Sequence, residues 1–154
     1  VVDANVLAAK LAELSLRLDR IRRHRPVDAA ALAADADLLD AVSFNLLLAV
    51  QACLDIASHL IADEGWPVAA TLGESFQRLQ DKGVITLPTA TALRQAAAFR
   101  NVLVHDYGAA RLDLIHAAAT GGIADQERFA QEVGDWANRR APDTASPAAP
   151  GAEG

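Results

Sequence analysis

The 154 residues carry 20 acidic against 14 basic side chains, a formal net charge of −6, and are 52% hydrophobic but only 5% aromatic. That acidic balance excludes a protein that coats nucleic acid non-specifically, which needs a concentrated positive field, while leaving room for a local basic site. The length suits a single domain with a real core, and a core drawn from Ala, Leu, Val and Ile at helical spacing predicts an all-α fold.

From Asp3 to His24, Val6, Leu7, Leu11, Leu14, Leu18 and Ile21 fall on one helical stripe, and Pro26 ends the helix or follows its end. Arg17, Arg20, Arg22, Arg23 and Arg25 spread around that cylinder at about 100° per residue, so they read as a solvated helix end with cations at its negative pole. Asp28 is placed to cap a short turn through Ala34, and Asp35 or Asp37 to cap a long helix from Leu38 to about Ala62. Leu39, Val42, Leu46, Val50, Leu54 and Ile61 form one face of that helix, and Leu47, Ile56 and Leu60 widen it, which predicts burial against more than one neighbour. Its lone cysteine, Cys53, reads as a small core residue. Asp55 and His59, four residues apart, read as a hydrogen-bonded pair.

Glu64-Gly65-Trp66-Pro67 breaks the pattern, with Trp66 as a wedge under a loop. Thr71 to Glu74 has capping-box spacing before Phe76 and Leu79, and Gly83 supplies the stop. Pro88 suits the first turn of a helix running through Ala92, Leu93, Ala96, Ala97 and Phe99, with Gly108 placed to end it. Arg111 to Ala119 is expected as a shorter helix closed by Gly121-Gly122, and Asp125 to Arg140 as the last one, with Phe129, Val133 and Trp136 inward. His116 reads as a packing residue and His24 as a surface one. The expected division is a helical domain over 1–140 and a disordered C-terminal tail over 141–154, where large apolar residues are absent. One cysteine, no leader-like opening and no uncharged apolar run of roughly 18 residues make a cytoplasmic setting the natural expectation.

The stretch Phe99 to Gly108, FRNVLVHDYG, places an arginine, an imidazole and the chain's only tyrosine in an otherwise apolar run. On a helical wheel Arg100, Asn101, His105 and Tyr107 share one polar arc, able to converge on a small anion. Val104 falls within the same arc. These groups permit phosphodiester cleavage without a metal or cofactor: an imidazole can take the ribose 2′-hydroxyl proton or protonate the leaving oxygen, while a guanidinium stabilises the charge developing on phosphate. One histidine does one of these jobs at a time, so a two-fold dimer supplying a second His105 and Arg100 is a mechanistic expectation. Each group also has a structural reading, with His105 favoured by the dipole near a helix C-terminus and Tyr107 as an amphipathic anchor. Spacing does not choose between them.

Arg100, His105 and Tyr107 match R-x4-H-x-Y, and in this the chain resembles the HepT-like toxins of the HEPN superfamily; Asn101 fits the polar residue that follows the motif arginine. Leu46 to Ile61 is similar to the long helix of those proteins, and Trp66 to Leu79 with the following VITLP turn to their connecting segment, so the resemblance runs from the first helix to about Trp136. It implies an all-helical, dimeric HEPN ribonuclease with Arg100, His105 and Asn101 at the catalytic centre, acting on RNA and in some members on tRNA. It also implies a partner, an MntA-like minimal nucleotidyltransferase antitoxin that transfers AMP to the motif tyrosine, here Tyr107. An alternative is a non-catalytic HEPN module that only binds such a partner, a reading the acidic net charge favours.

Overall fold

Asp3 opens the first helix by accepting hydrogen bonds from the backbone N–H groups of Asn5 and Val6 at 3.0 and 3.1 Å, as a capping carboxylate should. The computed structural model describes residues 2–105 and 109–141. Its helices are α1 (Ala4–His24), α2 (Ala29–Ala34), α3 (Ala36–Asp63), α4 (Leu72–Asp81), α5 (Leu87–Val104) and α6 (Ala109–Arg140), with no strand among the described residues. The fold is the expected all-α bundle.

Short polar side chains start these helices where the sequence places them. Asp28 caps α2 through Ala31 N–H, Asp35 caps α3 through Leu38 N–H, and Thr71 caps α4 through Glu74 N–H. Glu74 reaches back to Ala70 N–H at 2.8 Å, one residue upstream of the standard box. Gly65 and Gly83 stop α3 and α4 with φ of 66° and 73°, a backbone setting that costs glycine nothing.

The centre of the bundle is α3. Val42, Leu46, Ala49, Cys53, Ile56, Ala57 and Leu60 are essentially inaccessible to solvent, and α1, α2, α4, α5 and α6 all pack on it. By length and composition it is the one described helix able to cross a membrane, and 56% of its most apolar window is buried inside the bundle. Across the core, Phe76 of α4 and Phe129 of α6 meet edge to face with ring centroids 5.7 Å apart, a favoured aromatic geometry.

Contacts at the helix ends establish direction. Asp3 N–H donates to Asp63 and Arg140 bonds Glu64, so the start of α1 and the ends of α3 and α6 lie together. Trp66 packs edge-on against Trp136 there, at 6.1 Å, as the expected wedge. Thr86 and Thr89 at the start of α5 meet Arg128 and Glu132 late in α6. It follows that the C-terminal end of α5 lies beside the beginnings of α3 and α6 and the end of α1, at the opposite end of the bundle.

Three expectations are corrected. Gly121-Gly122 does not break the chain: α6 is continuous for 32 residues. Ile115, Ala119, Ile123, Gln126 and Phe129 are buried on one stripe running through the pair, and that burial outweighs the helix penalty of roughly 1 kcal/mol per glycine. Second, α5 stops at Val104, with His105 as an extended C-cap (φ −116°, ψ 150°). Val102 and Val104 are β-branched, which weakens the last turn, and Val104 is exposed, so its side chain adds little packing to support it. Third, His59 sits 3.1 Å from Asp63, not on Asp55, whose carboxylate accepts from Gln51. The 142–154 segment, read as a tail, lies outside the described residues, as does Gly108.

The start of α5 is held from outside. Thr86, its N-cap residue, makes no side-chain capping bond; instead Glu132 accepts the Thr86 N–H at 2.7 Å and the hydroxyl of fully buried Thr89, which in turn accepts from Arg128 Nε at 2.8 Å. Burial pushes the Glu132 pKa up, but the bonds from Thr86 and Thr89 and the charge of Arg128 outweigh it and hold the carboxyl below its ordinary 4.5. Glu132→Gln should lower unfolding free energy by about 1–3 kcal/mol in urea titrations. Because the folded carboxyl binds its proton less readily than the unfolded one, the gap between wild type and variant should be full above about pH 4.5 and close as the pH falls through the lower folded value; a gap that widens in acid would contradict this. Gly121 has open space where a Cβ would sit, so Gly121→Ala should stabilise by about 0.5–1 kcal/mol; a loss would mean that α6 is interrupted.

Candidate functional site

The last turns of α5 carry the candidate residues, and the helix's rotation on α6 sorts them. Thr89, Leu93, Ala96, Arg100 and Leu103 recur at i, i+4, i+7, i+11 and i+14, one stripe on the cylinder. Thr89 and Leu93 are fully buried and Leu103 is 9% exposed, so Arg100 continues the inward line of α5 and is itself half-buried. Its guanidinium has no ion pair or hydrogen bond among the described residues.

Asn101, about 100° round the helix, is exposed. His105 no longer follows the wheel: its N–H still closes the last turn on Asn101 C=O at 3.1 Å, but its own backbone is extended and the residue exposed. The structure therefore brings Arg100, Asn101 and His105 to one corner without the single polar arc drawn from the sequence. Tyr107, the expected modification site, lies outside the described residues. Val104, puzzling on the wheel, is 56% exposed at the same corner, and Leu114 of α6 is 47% exposed nearby along the chain direction established above.

Behind this corner, Leu46 and Val50 of α3, Ala96 and Phe99 of α5 and Leu114 and Ala118 of α6 line a largely apolar cavity of about 230 Å³. Its lining is packing surface of the three helices that carry the site. One residue in the first turn of α6 drew no attention in the sequence beyond opening a helix: Arg111, whose Nε is buried without a hydrogen-bond partner. The signal was available, since Arg111 stands four residues before the buried Ile115 and eight before Ala119, where an apolar side chain would be ordinary. The other groups singled out are structural: Cys53 is buried, and its thiol is pushed far up by desolvation and so inert, His24 is exposed, and His116 has a buried Nε2. Arg22 of the α1 cluster is neutralised by Asp19 and Glu127.

Helices wound this way around α3 make the class a HEPN-type all-helical bundle. A profile of the family described as Ribonuclease HepT-like matches residues 14–133. The chain belongs to that family. It is 28% identical over 125 residues to the mRNA nuclease HepT of Shewanella oneidensis, covering 81% of this chain and 93% of that protein. Among solved structures it matches a chain of a toxin–antitoxin crystallised with AMP-PNP (26% identity, TM-score 0.78, 85% of this chain and 98% of that one). It matches equally a tri-AMPylated Shewanella oneidensis HEPN toxin in complex with MNT antitoxin (26% identity, TM-score 0.78, 86% and 99% covered). The cytosolic protein YutE of Bacillus subtilis shares the fold, with 16% identity and a TM-score of 0.73.

Proposed function

We propose that this chain is the toxin of a toxin–antitoxin pair, a cytoplasmic, homodimeric endoribonuclease that cleaves RNA, tRNA among its candidate targets, without a metal. The observation that carries the reading is half-buried Arg100, its guanidinium unpaired among the described residues, at the same helix end as His105. A guanidinium without internal partners, on a stem packed against the bundle, is available to an anion from outside. The family and the nuclease named among its relatives support RNA as that anion's source.

In this mechanism Arg100 binds the non-bridging oxygens of the scissile phosphate. His105 removes the proton of the adjacent ribose 2′-hydroxyl; the 2′-oxygen bonds to phosphorus as the bond from phosphorus to the 5′-oxygen breaks. The departing 5′-oxygen takes a proton from a second imidazole, that of the partner subunit, leaving a 2′,3′-cyclic phosphate and a 5′-hydroxyl. Asn101 orients one or both groups. Dimerisation has a physical rationale here, because Phe44, Val104 and Leu114 expose apolar surface on helix segments that all belong to the catalytic end of the bundle. A two-fold pairing over that end would bury them and bring two copies of the site together.

A route to neutralisation is supported by the tri-AMPylated relative held by its antitoxin. Adenylylation of Tyr107, two residues beyond His105, by an MntA-like nucleotidyltransferase would set a phosphate anion beside Arg100 and bulk across the entrance, excluding RNA. In the alternative, a non-catalytic module, the same polar corner would serve only to bind the partner's nucleotide, and the net charge of −6 is what favours it.

Purified protein incubated with bulk tRNA and mRNA in the presence of chelator should yield fragments ending in 2′,3′-cyclic phosphate, and His105→Ala should reduce the rate at least 100-fold, the usual scale for an acid–base group. Intact RNA with wild type selects the binding module, and equal cleavage by the variant removes His105 from the mechanism. Incubation with the nucleotidyltransferase and ATP should add about 329 Da per AMP, a charge-changing modification; the increment should vanish in Tyr107→Phe, and its persistence there would refute this site of neutralisation.

A further inference from the structure

We infer that Arg111 is a second phosphate-binding residue of the ribonuclease site, holding an RNA phosphate next to the one bound by Arg100; the inference rests on the reading above and deepens it. The starting observation is its buried, unpartnered Nε. An arginine whose Nε is removed from water without a partner forfeits that atom's hydrogen bond, and the natural complement of the guanidinium fork is a planar or tetrahedral oxyanion.

The rest of the chain shows what this protein ordinarily does with arginines that lie against other side chains. Arg17 bonds Glu13 and Asn45, Arg94 bonds Gln77, Arg128 bonds Asp125 and Thr89, and Arg140 bonds Glu64. Arg78, also half-buried, stands in the last turn of α4, where the helix dipole favours a cation. Arg100 and Arg111 have neither compensation: Arg100 is four residues from the end of α5 but turned inward, and Arg111 is in the first turn of α6, where the dipole disfavours it.

Their placement joins them. Along the α5–α6 seam, Thr89 faces Arg128 and Glu132, while Phe99 shares a cavity wall with Leu114 and Ala118. Continuing that antiparallel register puts Arg111 level with His105. Around α6, Arg111 shares a side with Ala118, Gly122 and Phe129, at intervals of 7, 11 and 18 residues, each within about 20° of Arg111. That is the side turned toward the core and α5, as Arg100 occupies the side of α5 turned toward α6. Two unpaired guanidinium-bearing residues thus flank one seam on either side of the exposed His105. In a chain of net charge −6 they provide a local cationic point at the site, suited to gripping successive phosphates of a single strand, without a general affinity for polyanions.

The test measures binding of a single-stranded 2′-O-methyl oligoribonucleotide, which lacks the attacking hydroxyl, across a salt series, alongside cleavage of the unmodified RNA. Arg111→Gln should weaken binding by about tenfold at low salt and reduce the slope of log affinity against log salt by about 0.7, the value for one phosphate contact on a single strand. The cleavage defect should appear in KM more than in kcat. Arg111→Lys, which keeps the charge and loses the fork, should retain the slope with weaker binding, and it carries the test if the glutamine variant does not fold. Wild-type affinity and slope in Arg111→Gln, or in Arg111→Lys an affinity equal to wild type, overturn the inference. If the wild type cleaves RNA through His105 while these variants bind like it, Arg111 alone is wrong. If the wild type binds and leaves RNA intact, a changed slope still assigns Arg111 to phosphate and it is the nuclease reading that falls.

Discussion

The geometry of the site depends on one polar clamp, the Glu132 carboxylate that takes the first free N–H of α5 and the buried hydroxyl of Thr89, with Arg128 closing the set. A helix is a stiff rod rising about 1.5 Å per residue, so fixing the rotation of α5 at Thr89 also fixes which side Arg100 takes, three turns further on. Leu93 and Ala96 continue the same line into the core. The clamp is polar and directional where apolar packing alone tolerates sliding, and it lies far enough from the corner to hold the helix without competing for the ligand.

The bundle is closed at one end and open at the other. At the closed end Trp66 and Trp136 pack edge to face, Arg140 stacks on Trp136 while bonding Glu64, and Lys82 covers Trp66. Charges there are spent on one another. At the opposite end Arg100 and Arg111 lack carboxylate partners among the described residues. Ion pairing and ring stacking are thus concentrated at one end of α3, and the arginines of the proposed site lie at the other.

Much of this was legible in the sequence because it is local. Asp3, Asp28, Asp35 and Thr71 act as caps through their own backbone neighbours, and Gly65 and Gly83 sit where positive φ is required. Side-chain period alone identified α3 as the buried centre. The failures are all tertiary. Gly121-Gly122 reads as a stop until the neighbours that bury both flanks of α6 are known, and His59 chose Asp63 over Asp55 with both at a spacing of four. The end of α5 at Val104, ahead of Gly108, removed His105 from the wheel on which a single polar arc had been drawn. Arg111 passed as a helix-start residue because whether its Nε is buried without a partner cannot be read from spacing.

The central claim is that the corner where α5 meets α6 grips a phosphodiester. A crystal structure with a non-cleavable 2′-O-methyl dinucleotide tests it most directly. The account predicts the phosphate within hydrogen-bond distance of the Arg100 guanidinium, beside His105, at a seam shared by two subunits. Density for the dinucleotide on the α1 arginines or at the tryptophan end, with Arg100 untouched in a solitary subunit, would contradict it.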